Sequence, residues 1–375
     1  MRTVQIKELG RVVTGKTPST KELKYWNSND YQFICPPDIK NTRFVFSPAK
    51  YVSKEGSMSC KSMMIGPNSI LIDCIGADLG NVALSTTTCM TNQQINSISN
   101  INLTIALPMY LYYLFSTKKD YFHQIGQNGS TMPIINKTMF ENLEIQIHSL
   151  SEQQHIVNTI GSIDDLIENY QKEIDKICEL LNKSLLEYGI KVEISKYNPT
   201  IIKSGIETFA GTKEYLDTSS VEGINNISGG EIITINKRPS RANMQPLPNS
   251  VWFAKMKGSN KKLIITNNDD DLMKQYILST GFQGVLASNR LPLSLITAIV
   301  ISDDFNVQRD LNSVGTTMAS INNDTFTEIL VPYLADDEIK KYDNKYSPFI
   351  ALLSKRRKEI TKLKIIKQQL LNKYF

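Results

Sequence analysis

The chain has 375 residues, of which 41% are apolar and 21% are charged, so it is long enough for more than one hydrophobic core and has the composition of a folded protein. The first residues contain no continuous apolar stretch, and the longest mostly apolar run, LPLSLITAIVI at 291–301, is too short to span a membrane. Five scattered cysteines without a C-x-x-C pair predict neither a disulfide framework nor a zinc site. We therefore expect a cytoplasmic protein with reduced thiols and no membrane association. The net charge of +5 favours a nucleic-acid partner only weakly.

The stretch GRVVTGKT at 10–17 matches G-x-x-x-x-G-K-[ST], the spacing of a phosphate-binding P-loop. Its context argues against that function. A P-loop follows a hydrophobic strand and its Lys-Thr opens a helix, whereas here Pro18 follows directly and no helical periodicity continues. Two β-branched valines also occupy the interior of the loop, where glycine is favoured. A P-loop NTPase is therefore kept only as an alternative hypothesis.

The rest of the globular sequence mixes strand and helix patterns. SILIDCIG, GNVAL and VWFAKM are short apolar runs typical of strands, as is the run at 291–301, while LPMYLYYLFSTKKDYF has the periodicity of a helix. CPPDI at 35–39 has the paired prolines of the loop that holds a flipped base in amino-methyltransferases, but Cys35 and Asp38 occupy its deciding positions. NNDDD at 267–271 is typical of a solvated turn. No catalytic or metal-binding residue is predicted in this chain.

Two long helices are predicted. In the first, at 150–190, apolar residues alternate in steps of four and three, the period of a coiled-coil seam: Ile156, Ile160, Ile163, Ile167, Tyr170, Ile174, Ile177 and Leu181. The second, at 347–375, places Pro348 in its first turn and has apolar residues at Phe349, Leu353, Ile360, Leu363, Ile366 and Leu370. Because the first helix is acidic and the second basic, we expect them to pair as an intramolecular coiled coil.

The sequence also contains an internal repeat. GSTMPIINKTMFENLEI at 129–145 resembles GTTMASINNDTFTEILV at 315–331, and the constant offset of 186 continues into the two helices. The chain is therefore predicted to be a duplication of one unit, a mixed α and β domain followed by a long helix. The expected fold class is α+β, with a first domain at 1–149, a long helix at 150–190, a second domain at 191–346 and a second long helix at 347–375.

Five segments, in this order, resemble the specificity subunits of type I restriction-modification systems: GKTPSTKELKYW, GADLGNVAL, TNQQI, GSTMPIIN and LSEQQHIVNTIGSIDDLI. The resemblance covers essentially the whole chain and is looser in the second globular domain. It departs from the family in the second repeat, where the run YLADDEIKKY lacks the Glu-Gln pair found at the equivalent place in the first repeat.

The resemblance implies two target-recognition domains held apart by two long spacer helices that form an antiparallel coiled coil. Each domain would read one half of a split target in double-stranded DNA. It also implies that the chain is not an enzyme and binds no cofactor itself. Two methyltransferase subunits would bring S-adenosylmethionine, and a restriction-translocase subunit, where one joins, would bring ATP and Mg. The recognition subunit of a fused methylase-nuclease, similar to type IIB systems, is an alternative that this chain does not distinguish.

Polar loops supply the candidate DNA contacts. Phosphates are contacted by Lys, Arg, Ser and Thr, while base edges are read mainly by Arg, Lys, Asn and Gln. In the first domain we predict contacts from Lys16, Thr17, Ser19, Gln127, Asn128, Ser130 and Thr131. In the second domain we predict contacts from Lys237, Arg238, Arg241, Asn243, Asn289 and Arg290.

Overall fold

The computed structural model describes residues 1–39, 42–127, 132–315 and 319–375. The chain folds into two compact units, one formed by Met1–Asp165 with Ile365–Phe375 and the other by Leu166–Lys364. Among the described residues, no helix is both long and apolar enough to cross a membrane.

The described residues of the first unit form ten strands and the start of a long helix. The strands are β1 Arg2–Gln5, β2 Arg11–Thr14, β3 Tyr31–Ile34, β4 Phe44–Val45, β5 Lys50–Val52, β6 Ile70–Asp73, β7 Val82–Ser85, β8 Cys89–Thr91, β9 Ile95–Ser99 and β10 Glu144–Ile147. The helices are α1 Ile6–Leu9, α2 Pro36–Ile39, α3 Lys54–Met58, α4 Pro108–Ser116, α5 Lys119–Gly126, α6 Lys137–Glu141 and the long α7 Leu150–Ser184.

Two sheets organise this unit. The larger has the strand order β2-β9-β6-β7-β4, and the smaller has the order β5-β3-β8, in which β3 and β8 run parallel. A row of four residues in register crosses the larger sheet and belongs to the main core of the unit: Val12, Ile98, Ile70 and Leu84. The strands predicted from SILIDCIG and GNVAL are β6 and β7, which confirms both predictions.

The second unit contains the remaining elements. Its strands are β11 Lys191–Glu193, β12 Thr200–Ile201, β13 Lys213–Leu216, β14 Val221–Glu222, β15 Asn226–Ile227, β16 Glu231–Ile233, β17 Ala242–Met244, β18 Ser250–Ala254, β19 Lys262–Ile265, β20 Tyr276–Ser279, β21 Phe282–Leu286 and β22 Leu330–Pro332. Its helices are α8 Asp270–Gln275, α9 Leu293–Ile301, α10 Asp303–Leu311, α11 Asn323–Thr327 and the long α12 Asp336–Tyr374.

The sheets of the second unit repeat those of the first. The order β12-β21-β18-β19 corresponds to β2-β9-β6-β7, and the parallel pair of β13 and β20 corresponds to that of β3 and β8. The equivalent row across the sheet is again apolar and in register: Ile201, Val285, Val251 and Ile264. Both units therefore share this strand order and an apolar row across the larger sheet.

The repeat predicted from sequence is confirmed at the level of single caps. Asn136 caps α6 by accepting a hydrogen bond from the N–H of Met139, and Asn322 caps α11 by accepting one from the N–H of Thr325, both at 2.9 Å. Both caps are followed by a short helix and then by a strand, β10 or β22. Side-chain oxygens at this position satisfy N–H groups that have no partner inside the helix.

The second long helix begins earlier than the predicted start at 347. It starts at Asp336, so Pro348 lies inside the helix and not in its first turn. Proline interrupts the hydrogen bond to the carbonyl four residues earlier, that of Asn344. Both Asn344 and Pro348 are exposed, so water can solvate this carbonyl and the helix continues.

Two further predictions were wrong. The apolar run at 291–301 is mainly the helix α9, not a strand; α9 is buried from Ser294 to Ile301 and packs on β18, and a short run that is apolar on all sides fits a buried helix as well as a buried strand. NNDDD at 267–271 is not a solvated turn. Asp269 within it is fully buried and pairs with Arg357 of α12.

Helices α7 and α12 pack against each other in antiparallel orientation, as predicted. In the first unit the Asp164 carboxylate lies 2.7 Å from the Lys367 ammonium. In the second unit Arg356 lies 2.6 Å from Glu173, and further along α7 the Ser184 hydroxyl meets that of Tyr342. The predicted seam residues of α7 are buried or half-buried: Ile156, Ile160, Ile163, Ile167, Tyr170, Ile174, Ile177 and Leu181.

Candidate nucleic-acid interface

The segment that follows β2 carries the first predicted DNA contacts. Gly15 is needed there because a Cβ would overlap the carbonyl oxygens of Thr91 and Asn92. The Thr17 hydroxyl then donates a hydrogen bond of 2.8 Å to the Gln93 side chain. The interior of the P-loop-like match is the strand β2, and no helix opens at Lys16, so the loop-to-helix geometry of a P-loop is not formed.

The predicted contacts of the first unit flank the carboxyl end of β6. On one side, Thr17 is bonded to Gln93, and the neighbouring Gln94 carbonyl accepts the N–H of Cys74, the residue after β6. On the other side, Gln127 ends α5 and is exposed, next to a glycine whose carbonyl accepts the N–H of Ile134. Ile134 in turn forms a β-bridge with residue 75. Lys16 and Ser19 are exposed on the first side, while Asn128, Ser130 and Thr131 lie outside the described residues.

A groove with a volume of about 560 Å³ adjoins this segment. We call it the Trp26 groove. Its walls come from the segment after β2, the short 3₁₀ helix at Leu23–Tyr25 and the edge of the smaller sheet. Its lining residues are Thr17, Thr20, Leu23, Trp26, Asn29, Phe33, Cys35, Ala49, Lys50, Tyr51 and Asn92.

The second unit presents basic residues at the equivalent end of β18. The carbonyl of Arg241 accepts the N–H of Thr280, and the N–H of Lys255, the residue after β18, donates to the carbonyl of Gly281. Arg241 is exposed and Lys255 is half-buried. Burial, followed by the charge of Arg241, lowers the pKa of Lys255 below its ordinary value. Two cationic side chains therefore lie close together at this end of the sheet.

The remaining predicted residues of this loop differ in accessibility. The Arg238 guanidinium donates a hydrogen bond of 2.6 Å to the carbonyl of Ala242 and so braces the loop. Lys237 is exposed, and Asn243 is half-buried, with its carbonyl accepting the N–H of Gly205. The structure thus places Arg241 near Lys255, while Lys237, Arg238 and Asn243 belong to the same loop as Arg241.

Asn289 and Arg290 do not join this group. They follow the end of β21, whereas Arg241 contacts the turn that precedes it. Arg290 lies 3.5 Å from Asp336 at the start of α12, and Asn289 lines a groove bordered by the same helix. Both residues therefore lie beside α12, at the opposite end of β21 from Arg241.

Several residues at these sites were missed by the sequence analysis. Lys255, Lys50 and Tyr51 lie in or beside strands, whereas the DNA contacts predicted from the sequence were residues of polar loops. The repeat carries a signal for Lys255. The β-bridge of Met256 to Ser320 matches that of Ile75 to Ile134, so the residue after β18 can be aligned with the residue after β6.

Comparisons with known proteins agree with this organisation. Residues 1–179 match the family model of the type I restriction modification DNA specificity domain. The chain is similar to the specificity subunit of the type I restriction enzyme MjaIX from Methanocaldococcus jannaschii, with 34% identity over 187 residues, which are 49% of this chain and 41% of that protein. It is also similar to the EcoR124I/EcoR124II specificity subunit from Escherichia coli, with 24% identity over 48% of this chain and 45% of that protein. The matches thus span less than half the length of these relatives.

The fold likeness extends beyond residue 179. A type I restriction-modification S subunit from M. genitalium has a TM-score of 0.56 to this structure at 15% identity, over 100% of this chain and 96% of that one. At this identity the likeness concerns the fold alone. The predicted resemblance to specificity subunits of type I restriction-modification systems is confirmed.

Proposed function

We propose that this chain is a DNA-recognition subunit in which each unit binds one half of a bipartite duplex target. The observation that carries the proposal is the duplication itself. Two copies of one fold each carry polar or basic side chains at the carboxyl end of equivalent strands, β6 and β18. Arginine and lysine at such positions serve phosphate contact and base reading.

The partners and cofactors of this proposal come from the family resemblance. Two methyltransferase subunits would bind this chain and supply S-adenosylmethionine, and a restriction-translocase subunit would supply ATP and Mg. The chain itself would position the DNA without catalysing a reaction. A fused methylase-nuclease is the second candidate partner, and the genes next to this one would distinguish the two.

Methylome sequencing of a host that carries the system tests the proposal directly. We expect two short specific blocks separated by an unspecified gap of fixed length, with one methylated adenine on each strand. A control host that lacks this gene should not methylate that target. A continuous target without a gap would contradict recognition by two units.

Arg241 and Arg238 offer a matched pair for testing the second unit. Arg241→Ala should weaken binding of the assembled complex to its target by about 1–3 kcal/mol, because an exposed guanidinium at a base or phosphate would be lost. Arg238→Ala removes the same charge from a second predicted contact that also braces the loop, so comparing the two variants shows whether the loss of the brace adds to the loss of charge. Both variants should keep the sequence preference of the first half-site. Equal loss of preference at both half-sites would contradict independent reading.

We further propose that α7 and α12 set the gap between the two half-sites. One heptad inserted in α7 between Asp164 and Glu173, with another in α12 between Arg356 and Lys367, keeps the seam in register because Asp164 pairs with Lys367 and Glu173 pairs with Arg356. Seven helical residues add roughly 10 Å, so the gap should lengthen by about three base pairs. A heptad in α7 alone is the control and should prevent assembly. An unchanged gap in the double insertion would exclude the helices as the ruler.

A further inference from the structure

The Trp26 groove presents a fixed aromatic surface. The Trp26 indole N–H donates to the carbonyl of Ser19 at 3.1 Å, and its ring meets that of Phe33 edge-on, with 5.0 Å between centroids. Tyr51, half-buried on β5, also lines the groove. A ring held in this way loses little freedom when a flat ligand stacks on it.

The polar side of the groove carries a positive charge and an amide. Lys50 has the only charged side chain among the described residues that line it, and it is exposed, as is Asn29. Two other polar groups are already engaged, since the Thr17 hydroxyl bonds Gln93 and the Asn92 amide bonds Gln94. The hydroxyl-bearing side chains of Thr20 and Tyr51 also line the groove. A ligand would therefore meet an aromatic face, an amide and one ammonium group, which together suit a nucleobase with its phosphate.

The rim of the groove supplies an apolar wedge. Leu23 is 81% exposed on the 3₁₀ helix beside the groove. Exposed apolar side chains of DNA-binding proteins insert between base steps and unstack them. Cys35, the first residue of the CPPDI stretch, also lines the groove, with its backbone N–H bonded to Asp38. The CPPDI stretch, which lacks the deciding residues of a methyltransferase loop, thus borders the Trp26 groove.

We propose that the Trp26 groove accepts one extrahelical base of the DNA target, stacked on Trp26, with Lys50 near its phosphate and Leu23 filling the gap left in the duplex. The step is binding only and no bond is made or broken. The inference rests on the proposed function, since it needs the first unit to lie on DNA.

The experiment uses the fluorescence of Trp26 in the assembled complex. Trp26 and Trp252 are the two tryptophans of the chain, and Trp252 is fully buried. This chain alone is labelled with azatryptophan and combined with unlabelled methyltransferase subunits, and the Trp26→Phe variant supplies the baseline signal of Trp252. Target DNA should quench the Trp26 emission. Removing one base at a time from the target should identify a single abasic position that restores the emission while the duplex still binds.

The binding affinities give a second measurement on the same duplexes. Trp26→Ala should weaken binding to the intact target by about tenfold, since a stacked base is lost. On the duplex that is abasic at the identified position, wild type and Trp26→Ala should bind equally. Lys16→Ala is the control: it should weaken binding but leave the quenching at saturating DNA unchanged.

The outcomes separate the two proposals. If the complex binds the target identified by methylome sequencing no more tightly than unrelated DNA, both the proposed function and this inference are refuted. Specific binding without quenching of Trp26, or quenching that no single abasic position relieves, would overturn the extrahelical base alone. Equal quenching by free mononucleotides at the same concentration would assign the groove to a nucleotide ligand instead of DNA.

Discussion

The ion pair between Arg357 of α12 and the segment before α8 should be a large single contribution to the stability of the second unit. The Arg357 guanidinium lies 2.8 Å from Asp269 and 2.9 Å from Asp271, and the side chain of Asp269 is fully buried. The hydroxyl of Ser354, also on α12, donates to Asp269 at 2.6 Å. Arg357→Met keeps most of the side-chain volume but removes the cation nearest to the buried Asp269 carboxylate, whose remaining ion-pair partner, Lys358, lies 3.6 Å away. Breaking a buried pair in this way costs about 3–5 kcal/mol.

Urea unfolding measures this cost. Trp252, fully buried in the second unit, reports its unfolding in a Trp26→Phe background. Lys274→Met is the matched control, because Lys274 pairs at 3.1 Å with Asp270 on the same short helix, and both side chains are largely exposed. The control should cost less than about 0.5 kcal/mol. An Arg357→Met variant no less stable than the Lys274→Met variant would refute the reasoning.

The pH dependence gives an independent check on the same pair. Burial raises the pKa of Asp269, but hydrogen bonds from Ser354, Thr266 and Arg357 outweigh it, so the pKa lies below its ordinary value. A depressed carboxyl pKa contributes stability above the unfolded value of about 3.9, and this contribution is lost as the pH falls towards the folded pKa. Asp269→Asn should therefore flatten the acid limb of the stability curve. Combining it with Arg357→Met should recover part of the loss caused by Arg357→Met alone.

Two further substitutions probe the first unit. Gly15→Ala should destabilise it by about 1–3 kcal/mol in urea unfolding, because the added methyl group meets immobile backbone oxygens. In the control Gly66→Ala the methyl group points into open space, so the change should stay within about 0.5 kcal/mol. Equal costs of the two substitutions would contradict the close contact at Gly15. Burial, followed by the charge of Asp78, raises the pKa of Asp73 to about 7. Stability should therefore fall as the pH rises from about 4 to about 7, and Asp73→Asn should abolish this slope; an unchanged slope would assign it to another group.

The repeat was the most informative feature of the sequence, and it predicts more than the composition of each segment does. Its offset of 186, applied to the start of α7 at Leu150, gives Asp336, where α12 begins. The prediction of a start near Pro348 relied on the preference of proline for the first turn of a helix. Because water can solvate the Asn344 carbonyl, the helix continues through Pro348. The repeat also indicates that the run at 291–301 is helical, because α9 follows β21 as α4 follows β9.

Features that depend on tertiary contacts could not be predicted. Asp269 belongs to a run of polar residues that is typical of a turn, and only the approach of Arg357 from α12 makes its burial favourable. The Trp26 groove depends on β3 and β5 bringing Phe33 opposite Lys50 in register. The residue types of a site can be read from the sequence, but pairs this far apart along the chain require the strand register and the helix packing.

The two units share a fold but not the polar contacts that attach them to the long helices. In the first unit Asp164 of α7 accepts the Tyr113 hydroxyl at 2.8 Å and pairs with Lys367 of α12. The residue one repeat later, Ile350, is apolar and buried, and the second unit uses Arg357 instead. Repeated apolar rows therefore preserve the fold, while each unit depends on its own part of the helices. A unit exchanged between similar proteins should fold only when it carries its own section of α7 and α12, because a foreign section would leave a buried charge without its partner.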